Sequence, residues 1–501
     1  MLARPAGLRD SRILASAGLV LGLWLWSSAA AAQGSTTPVP ANNDFALDLY
    51  QGPVLAPTRV TGLAGSYAGY AEGISGFVAN AASPAVRSAN SVNWIEPDVD
   101  GSVSIPIALF SNNDFDDSGD VNADYQNFIY LTAGAQLQAG DFGLGVCGDL
   151  QRYDLQTSAG SSTVVLIGRF HGLVGWQFFG DQLVVGAGVR VATLGVSAPE
   201  AEMTMVGAAP QVGLLVRPDW LPFRIGATYR HQVRADTTVT SASLVDAEGI
   251  QRAGGLVVPS RVELPWELET GLALQVGPRP LNPEWINPHD DEQELRDAVA
   301  ARAAERLASA RQRLLSVGDQ PTRAELTAAL ERELGEEQGR EQATLERDVE
   351  RLEDERRART ANWPRERLLL TAELLVSGAV DDAVGLHRFL AQGQPRIGTR
   401  CEEAASGAST NFSPRFGLEM EPVPMWVQTR FGGYYEPNRF RYEGPSCSDR
   451  VGRQHFTFGA DVKLFSTSWF GLVSEVTYKL QSYADLAPRY QAFGLGLGVW
   501  R

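Results

Sequence analysis

The chain has five histidines, its readiest acid–base and metal-ligating groups: His171, His231, His289, His387 and His455, scattered along its length. No Gly-x-Ser-x-Gly elbow accompanies them to raise a serine nucleophile on a strained turn. No His-Glu-x-x-His pair puts two zinc ligands on one helical face. The chain is therefore read as not an enzyme. One run has metal-like spacing. Asp114, Asp116, Ser118 and Asp120, with Gly119 at the sixth place, set oxygen ligands at alternating positions as a calcium loop does. The twelfth place calls for a bidentate acid and holds Tyr125, so an acidic outer loop explains the run more simply. Calcium is the one cofactor that the spacing offers. Of the three cysteines, Cys147 falls in an alternating segment and reads as inert. Cys401 and Cys447 fall in two separate loops; either a disulfide ties those loops or the thiols stand apart. An exported chain keeps disulfides, which favours the bridge.

Export is written at the start. Arg4, Arg9 and Arg12 precede a short apolar run from Ile13 to Trp26, and Ala30-Ala31-Ala32 offers a cleavage site before Gln33. That is the pattern of a secretory signal peptide over residues 1–32. The run is too short for a comfortable helical span, which needs ~20 residues. The formal net charge of −16 argues against nucleic acid as a partner.

From about residue 103 the chain alternates. Leu183, Val185, Ala187, Val189 and Val191 face one way; Val184, Gly186, Gly188, Arg190 and Ala192 face the other. Phe223, Ile225, Ala227, Tyr229 and Val233 oppose Arg224, Thr228, Arg230, Gln232 and Arg234. Phe456, Phe458, Ala460 and Val462 oppose Thr457, Gly459, Asp461 and Lys463. Segments of 8 to 16 residues exceed soluble strands, which average ~5–6, and most suit a bilayer, which needs ~9–11. Aromatic residues at segment ends, including Trp176, Phe178, Trp220, Trp266, Trp426, Tyr435, Trp469 and Trp500, read as interfacial girdles.

Fourteen such segments are expected: 103–110, 125–138, 141–155, 163–178, 182–196, 202–217, 221–235, 261–276, 366–377, 412–422, 425–437, 454–467, 470–484 and 489–500. Loop lengths support the count. Connections one, seven, nine and eleven are long and fall on the outer side; two, four, six, ten and twelve are short and fall on the periplasmic side. The expected fold is an all-β membrane protein, a transmembrane antiparallel β-barrel of about fourteen strands in the outer membrane of a Gram-negative bacterium. Its lumen-facing charges would be Arg169, Arg190, Arg224, Arg230, Arg415 and Arg430 against Glu267, Glu269, Glu373, Glu419 and Glu475. Such charges are tolerated where they pair or meet water.

The eighth connection, 277–365, breaks the pattern. Nearly half of 289–358 is charged, with Ala, Leu, Glu, Arg and Gln dominant. That composition favours helix. Asn287-Pro288 offers a start and Val317 to Pro321 a break; Thr322 with Glu325 forms a capping box, and Trp363-Pro364 ends the stretch. The expectation is an α-helical hairpin with coiled-coil character projecting into the periplasm. It reads either as a docking arm for a periplasmic protein or as a solvated excursion with no partner. Val384, Leu386, Phe389 and Leu390 could line a lipidic groove or pack on the barrel rim; the rim is favoured.

The stretch from Arg59 to Asn80, Gly/Ala-rich and followed by Ser83-Pro84-Ala85, resembles the N-terminal plug of long-chain fatty-acid transporters of the FadL-like family. In that family the run closes on Asn-Pro-Ala; here Ala81-Ala82-Ser83 separates Asn80 from Pro84. Phe223 to Tyr229 and Leu264-Pro265 before Gly271 are similar to strands of the same family. The closing Arg501 after Trp500 departs from the aromatic end expected of an assembly signal. The resemblance implies a plug over 33–101, its motif carried by Gly65, Gly69, Asn80 and Pro84. Small residues there would also permit close packing in a narrow lumen. Wall strands one to eight then occupy 102–276 and strands nine to fourteen 366–501. The function implied is passive, porin-like uptake of hydrophobic small molecules, with outer-membrane lipid and a hydrophobic ligand as partners. The alternative is a non-transporting envelope scaffold whose arm, 289–358, binds a partner.

Overall fold

The computed structural model describes residues 40, 42–106, 128–156, 162–198, 201–240, 244–247, 249–253, 255–316, 318, 320–364, 366–392, 402–403, 407–440, 442–443, 452–469, 473–488 and 490–500. Its wall is built by fourteen strands: β1 Ile95–Pro106, β2 Ile129–Ala139, β3 Phe142–Gln156, β4 Ser162–Phe178, β5 Leu183–Ala198, β6 Ala201–Val216, β7 Phe223–Arg230, β8 Glu267–Val276, β9 Leu368–Ser377, β10 Asn411–Val423, β11 Val427–Pro437, β12 Gly452–Trp469, β13 Val473–Ala487 and β14 Tyr490–Val499. Each pairs antiparallel with its neighbours in sequence order, and β1 pairs with β14, so the wall is a closed fourteen-stranded barrel. Closure removes the unpaired edges that lipid cannot solvate.

The alternation decides which side faces lipid. Outward positions carry Leu144, Val146, Phe170, Val174, Val189, Val206, Val212, Leu272 and Leu497, all exposed. In a soluble protein such a belt would be a large unburied apolar surface; in a bilayer it is the solvated face. Exposed Trp176, Phe178, Trp220 and Trp426 cluster at one end, and Tyr229, Phe412 and Phe456 lie toward the other. The first end carries the short turns at Gly140 and Gly180, both with positive φ. No helix among the described residues is long and apolar enough to cross a membrane.

Two stretches leave the wall where unbroken strands were expected. The strand expected over 221–235 stops at Arg230, and Val233–Asp236 turns inward; that over 261–276 begins as Arg261–Leu264, also inward, before β8. Val233, placed with the lipid-facing residues by its alternation, is wholly buried. These inner pieces pair with each other and with Ala46–Asp48 and Ala383–Gly385 in a separate four-stranded sheet. It caps the end opposite the short turns. Helix α4, Leu386–Ala391, covers it, burying Leu386, Phe389 and Leu390 beside Phe45, Leu47 and Leu49. The first wall strand starts at Ile95 rather than 103, so residues 95–101 are wall and not inner segment.

The chain thus enters the barrel from the capped end. It runs down the lumen through helix α1, Thr58–Gly62, and reaches the short-turn end near Arg87, whose guanidinium donates to the Gly140 carbonyl at 2.8 Å. The insertion after β8 forms helices α2, Pro288–Leu315, and α3, Gln320–Ala361. The Asn287 side chain caps α2 by accepting from the His289 N–H at 3.1 Å. Helix α3 begins at Gln320, ahead of Thr322, and runs unbroken through Gly335 and Gly339. The pair is held across by Arg302 and Arg306 on Glu341 and is otherwise mostly exposed.

Candidate functional site

Inward positions of the wall meet the inner segment in three layers. Nearest the short turns the wall presents glycine. A Cβ on Gly143 would lie 1.8 Å from the Pro84 carbonyl oxygen, one on Gly186 1.9 Å from that of Ala81, and one on Gly226 1.9 Å from that of Ala68. On Gly213 it would meet the Asn80 side chain at 2.3 Å. Gly69 and Gly271 face each other across the same contact, 2.7 Å from a Cβ to backbone. The inner backbone therefore sits directly on the strands, with no side-chain layer between. Asn80 fastens it: its Nδ2 donates to Ala68 O at 2.9 Å and to Leu214 O at 3.0 Å, while its Oδ1 accepts from the Ala82 N–H. The Pro84 carbonyl accepts from Gln138 at 3.0 Å. Gly65, at φ +79°, makes the turn that follows α1, and a side chain there would strike Arg415.

The middle layer is charged. Glu419 is fully buried and accepts from Arg59 of the inner segment at 2.9 Å and from Arg430 at 2.6 Å, with Arg367 as a third cation. Arg430 also holds Asp461 at 2.5 Å, which Lys479 meets at 2.8 Å. Glu373 accepts the backbone N–H groups of Tyr67 and Ala68 at 2.9 and 2.7 Å and pairs with Arg415 at 3.2 Å. Arg224 holds Glu72 at 2.8 Å and the Tyr70 carbonyl at 3.0 Å. Arg230 meets the Val78 carbonyl at 2.5 Å and Glu269 at 3.0 Å. Removing one member of such a buried pair strands the other and costs about 3–5 kcal/mol. Burial pushes the Glu72 carboxyl up, but Arg224 and Arg59 outweigh it and hold the pKa below the ordinary 4.5.

Nearest the cap the lumen turns apolar. Val165 and Ile167 on β4, Leu194 and Val196 on β5, and Met203 and Met205 on β6 all point inward and are buried against the cap. The polar inward face expected along whole strands holds only for part of each. The reason is length: β4 has 17 residues and β5 and β6 have 16, well beyond the ~9–11 a span needs. Between the charged and apolar layers lies a cavity of about 100 Å³ lined by Tyr50, Gln51, Arg169, His171, Arg190 and Leu264.

The residues singled out from sequence divide as follows. Arg190 pairs with Glu267 at 2.8 Å and also donates to the Pro265 carbonyl, while Arg169 donates to the Leu49 carbonyl at 2.9 Å. The side chain of Glu475 lies outside the described residues, as do Asp114, Asp116, Ser118 and Asp120 and the cysteines Cys401 and Cys447. Cys147 is buried on the inward face of β3. Sequence reasoning missed the glycine layer, the cap sheet and a buried trio in which His455 bridges Asp485 at 2.9 Å and Glu436 at 2.7 Å. The glycines were findable: they recur at inward positions of successive strands, opposite a segment itself made of Gly and Ala.

No protein-family model and no curated protein matches the sequence. Among solved structures the chain is similar to the CymD monoaromatic hydrocarbon channel, at 9% identity and a TM-score of 0.42 over 89% of this chain and 96% of that one. It is similar to the toluene transporter TodX of Pseudomonas putida, at 10% identity and 0.41 over 91% and 99%. A FadL homologue of Pseudomonas aeruginosa gives 9% and 0.42 over 89% and 96%. At such identities the likeness is one of fold.

Proposed function

We propose that the protein is an outer-membrane conduit for hydrophobic small molecules, taken up passively through the lumen with residues 45–93 and the cap as gate. The short turns then face the periplasm and the cap faces outward. The observation that carries this reading is the apolar inward surface of β4 to β6. A water-filled pore has no use for Val165, Ile167, Leu194, Val196, Met203 and Met205 on its inner wall, and here they are covered by the cap rather than by the wall itself. A molecule that displaced the cap would meet an apolar chamber first and the charged layer second. The test is uptake of radiolabelled naphthalene by Gram-negative cells displaying the folded barrel. Phe389→Ala loosens the cap by about 3–5 kcal/mol and raises uptake; Ile167→Asp places a charge in the chamber and lowers it. Uptake equal to that of cells without the protein, in wild type and both variants, sinks the proposal.

A second reading has its own observation. Leu307 and Leu315 of the arm are exposed, which suits a partner helix more than a solvated spacer. Under that reading the barrel is a scaffold, and its arm captures a periplasmic protein whether or not naphthalene enters.

A further inference from the structure

The structure carries a second cavity, of about 240 Å³, outside the lumen at the short-turn mouth. Four parts of the chain build it: the end of the inner segment at Ser88 and Val92, Arg217 just past β6, the connection Pro280 to Ile286, and the last turns of α3 at Arg356 and Arg359 with Trp363 just beyond them. Its walls are apolar and aromatic, with Pro280, Pro283, Ile286 and two indoles. Trp285 is fixed from behind by Arg87, whose guanidinium stacks 3.9 Å from the ring centre.

The charges in the lining do not balance. Arg217, Arg356 and Arg359 face it against one carboxylate, Glu284. Asp181 holds Arg217 at 3.3 Å and Asp291 holds Arg356 at 3.4 Å, both long for charge-assisted bonds. Arg359 makes no ion pair among the described residues. Arg217 is 1% exposed and Arg356 7% exposed. The Nε of each, with Nε1 of Trp285, is buried without a hydrogen-bond partner among the described residues. Buried donors left open cost about 1–3 kcal/mol each, more when charged, so three around one cavity call for an acceptor. Burial and the neighbouring Arg224 pull the Arg217 pKa down further than Asp181 and Glu72 push it up.

We infer that this cavity binds a compact aromatic monocarboxylate, its carboxylate on the Arg217, Arg356 and Trp285 donors and its ring between the prolines and Trp363. The volume argues for a compact body, being below the ~300–1,000 Å³ of drug-sized pockets. Guanidinium forks suit a carboxylate, and indole faces suit a flat ring. For its purpose the inference rests on the conduit reading, since the cavity lies where a molecule leaving the lumen emerges; its chemistry stands without that reading.

Calorimetry on the purified full chain in detergent tests it, with benzoate, benzyl alcohol and inorganic phosphate as probes. Benzoate should bind at one saturable site, about tenfold or more tighter than either of the others. Arg356→Gln should weaken it by about tenfold, and Trp363→Ala should bring it toward phosphate. Both substitutions lie on or beside the arm, away from the wall, and Arg359→Gln, at an exposed position, gives a milder loss that no folding defect explains. Benzoate binding no tighter than benzyl alcohol, binding unchanged in Arg356→Gln, or phosphate equalling benzoate overturns the assignment. Naphthalene uptake separates the two ideas: uptake with no benzoate site removes this inference alone, and a benzoate site without uptake removes the conduit alone.

Discussion

At the scale of single residues, the absence of a side chain matters here as much as its presence. Gly143 and Gly172 sit in neighbouring strands, yet a Cβ on the first would strike the Pro84 carbonyl at 1.8 Å and one on the second would meet nothing within 4 Å. Gly143→Ala should therefore lower the thermal midpoint of the detergent-solubilised barrel, at a cost of about 1–3 kcal/mol or more. Gly172→Ala is the control and should leave it nearly unchanged. Glu72 gives a pH signature. Its folded pKa is depressed, so the stability it supplies is present above its unfolded value near 4.5 and fades as pH falls through the folded one. The protection of the 60–80 amides, measured relative to the intrinsic exchange rate at each pH, should fall in acid for the wild type. Glu72→Gln should start less protected at neutral pH and change less on acidification; equal pH profiles in the two would show that the Glu72–Arg224 pair does not hold the segment.

At the scale of elements, the wall was legible and the interior was only partly so. Strand alternation has a period of two and a strong apolar contrast, so β4, with Phe170, Val174 and Trp176 outward, announces itself. Loop lengths then gave an independent check on parity. The cap was illegible for a physical reason. Val233–Asp236 and Arg261–Leu264 lie next to β7 and β8 in the sequence, and what marks them as inward is that they pair with each other and that Arg261–Leu264 pairs with distant Ala46–Asp48. Non-local pairing of that kind leaves no local mark. The charged middle layer was readable as inward charges, because Arg224, Arg230 and Glu269 alternate with lipid-facing residues; which partner each takes was not. The arm was readable from composition, though not its uninterrupted second helix. Exposed glycines at 335 and 339 lower helix propensity by about 1 kcal/mol each, which a long helix absorbs. Leu295 lies beside Leu345 and Asp348 across the pair, so deleting 296–347 rejoins the helices at facing positions. The shortened protein should keep the thermal midpoint of its barrel to within a few degrees, because what roots the arm, the His289–Trp94 stack at 4.5 Å and Arg356 on Asp291, is retained. Naphthalene uptake should also persist. Loss of a co-purifying periplasmic protein on the same deletion would favour the scaffold reading.

At the scale of the whole molecule, the wall, the inner segment and the cap form one mechanical unit. The inner segment is pinned by backbone contact at one end, by ion pairs in the middle and by strand pairing at the other. A route past it requires the ion pairs of the middle layer to exchange partners with water; the cap adds apolar burial around Leu47, Phe389 and Leu390 to its strand pairing and to Arg439 on the buried Asp48 at 3.1 Å. An apolar solute can replace that burial and cannot replace Arg59 on Glu419. On the proposed conduit reading, the apolar contacts of the cap are what an entering hydrophobic molecule replaces, and the charged layer is what stays.

Ala46–Asp48 lies at one mouth of a closed ring and Ile95 starts the ring at the other, so the chain passes through a hole that its own first and last strands seal. Order of assembly follows from that. If β1 and β14 zipped first, the segment ahead of Ile95 would have to be threaded into a lumen whose glycine layer leaves no room for a sliding chain. The segment must be laid against the nascent sheet while it is still open, and the β1–β14 seam is the last to form. The glycines and arginines of the lumen thus act twice, first as a mould on which the open sheet curls and later as the fastening of the finished barrel.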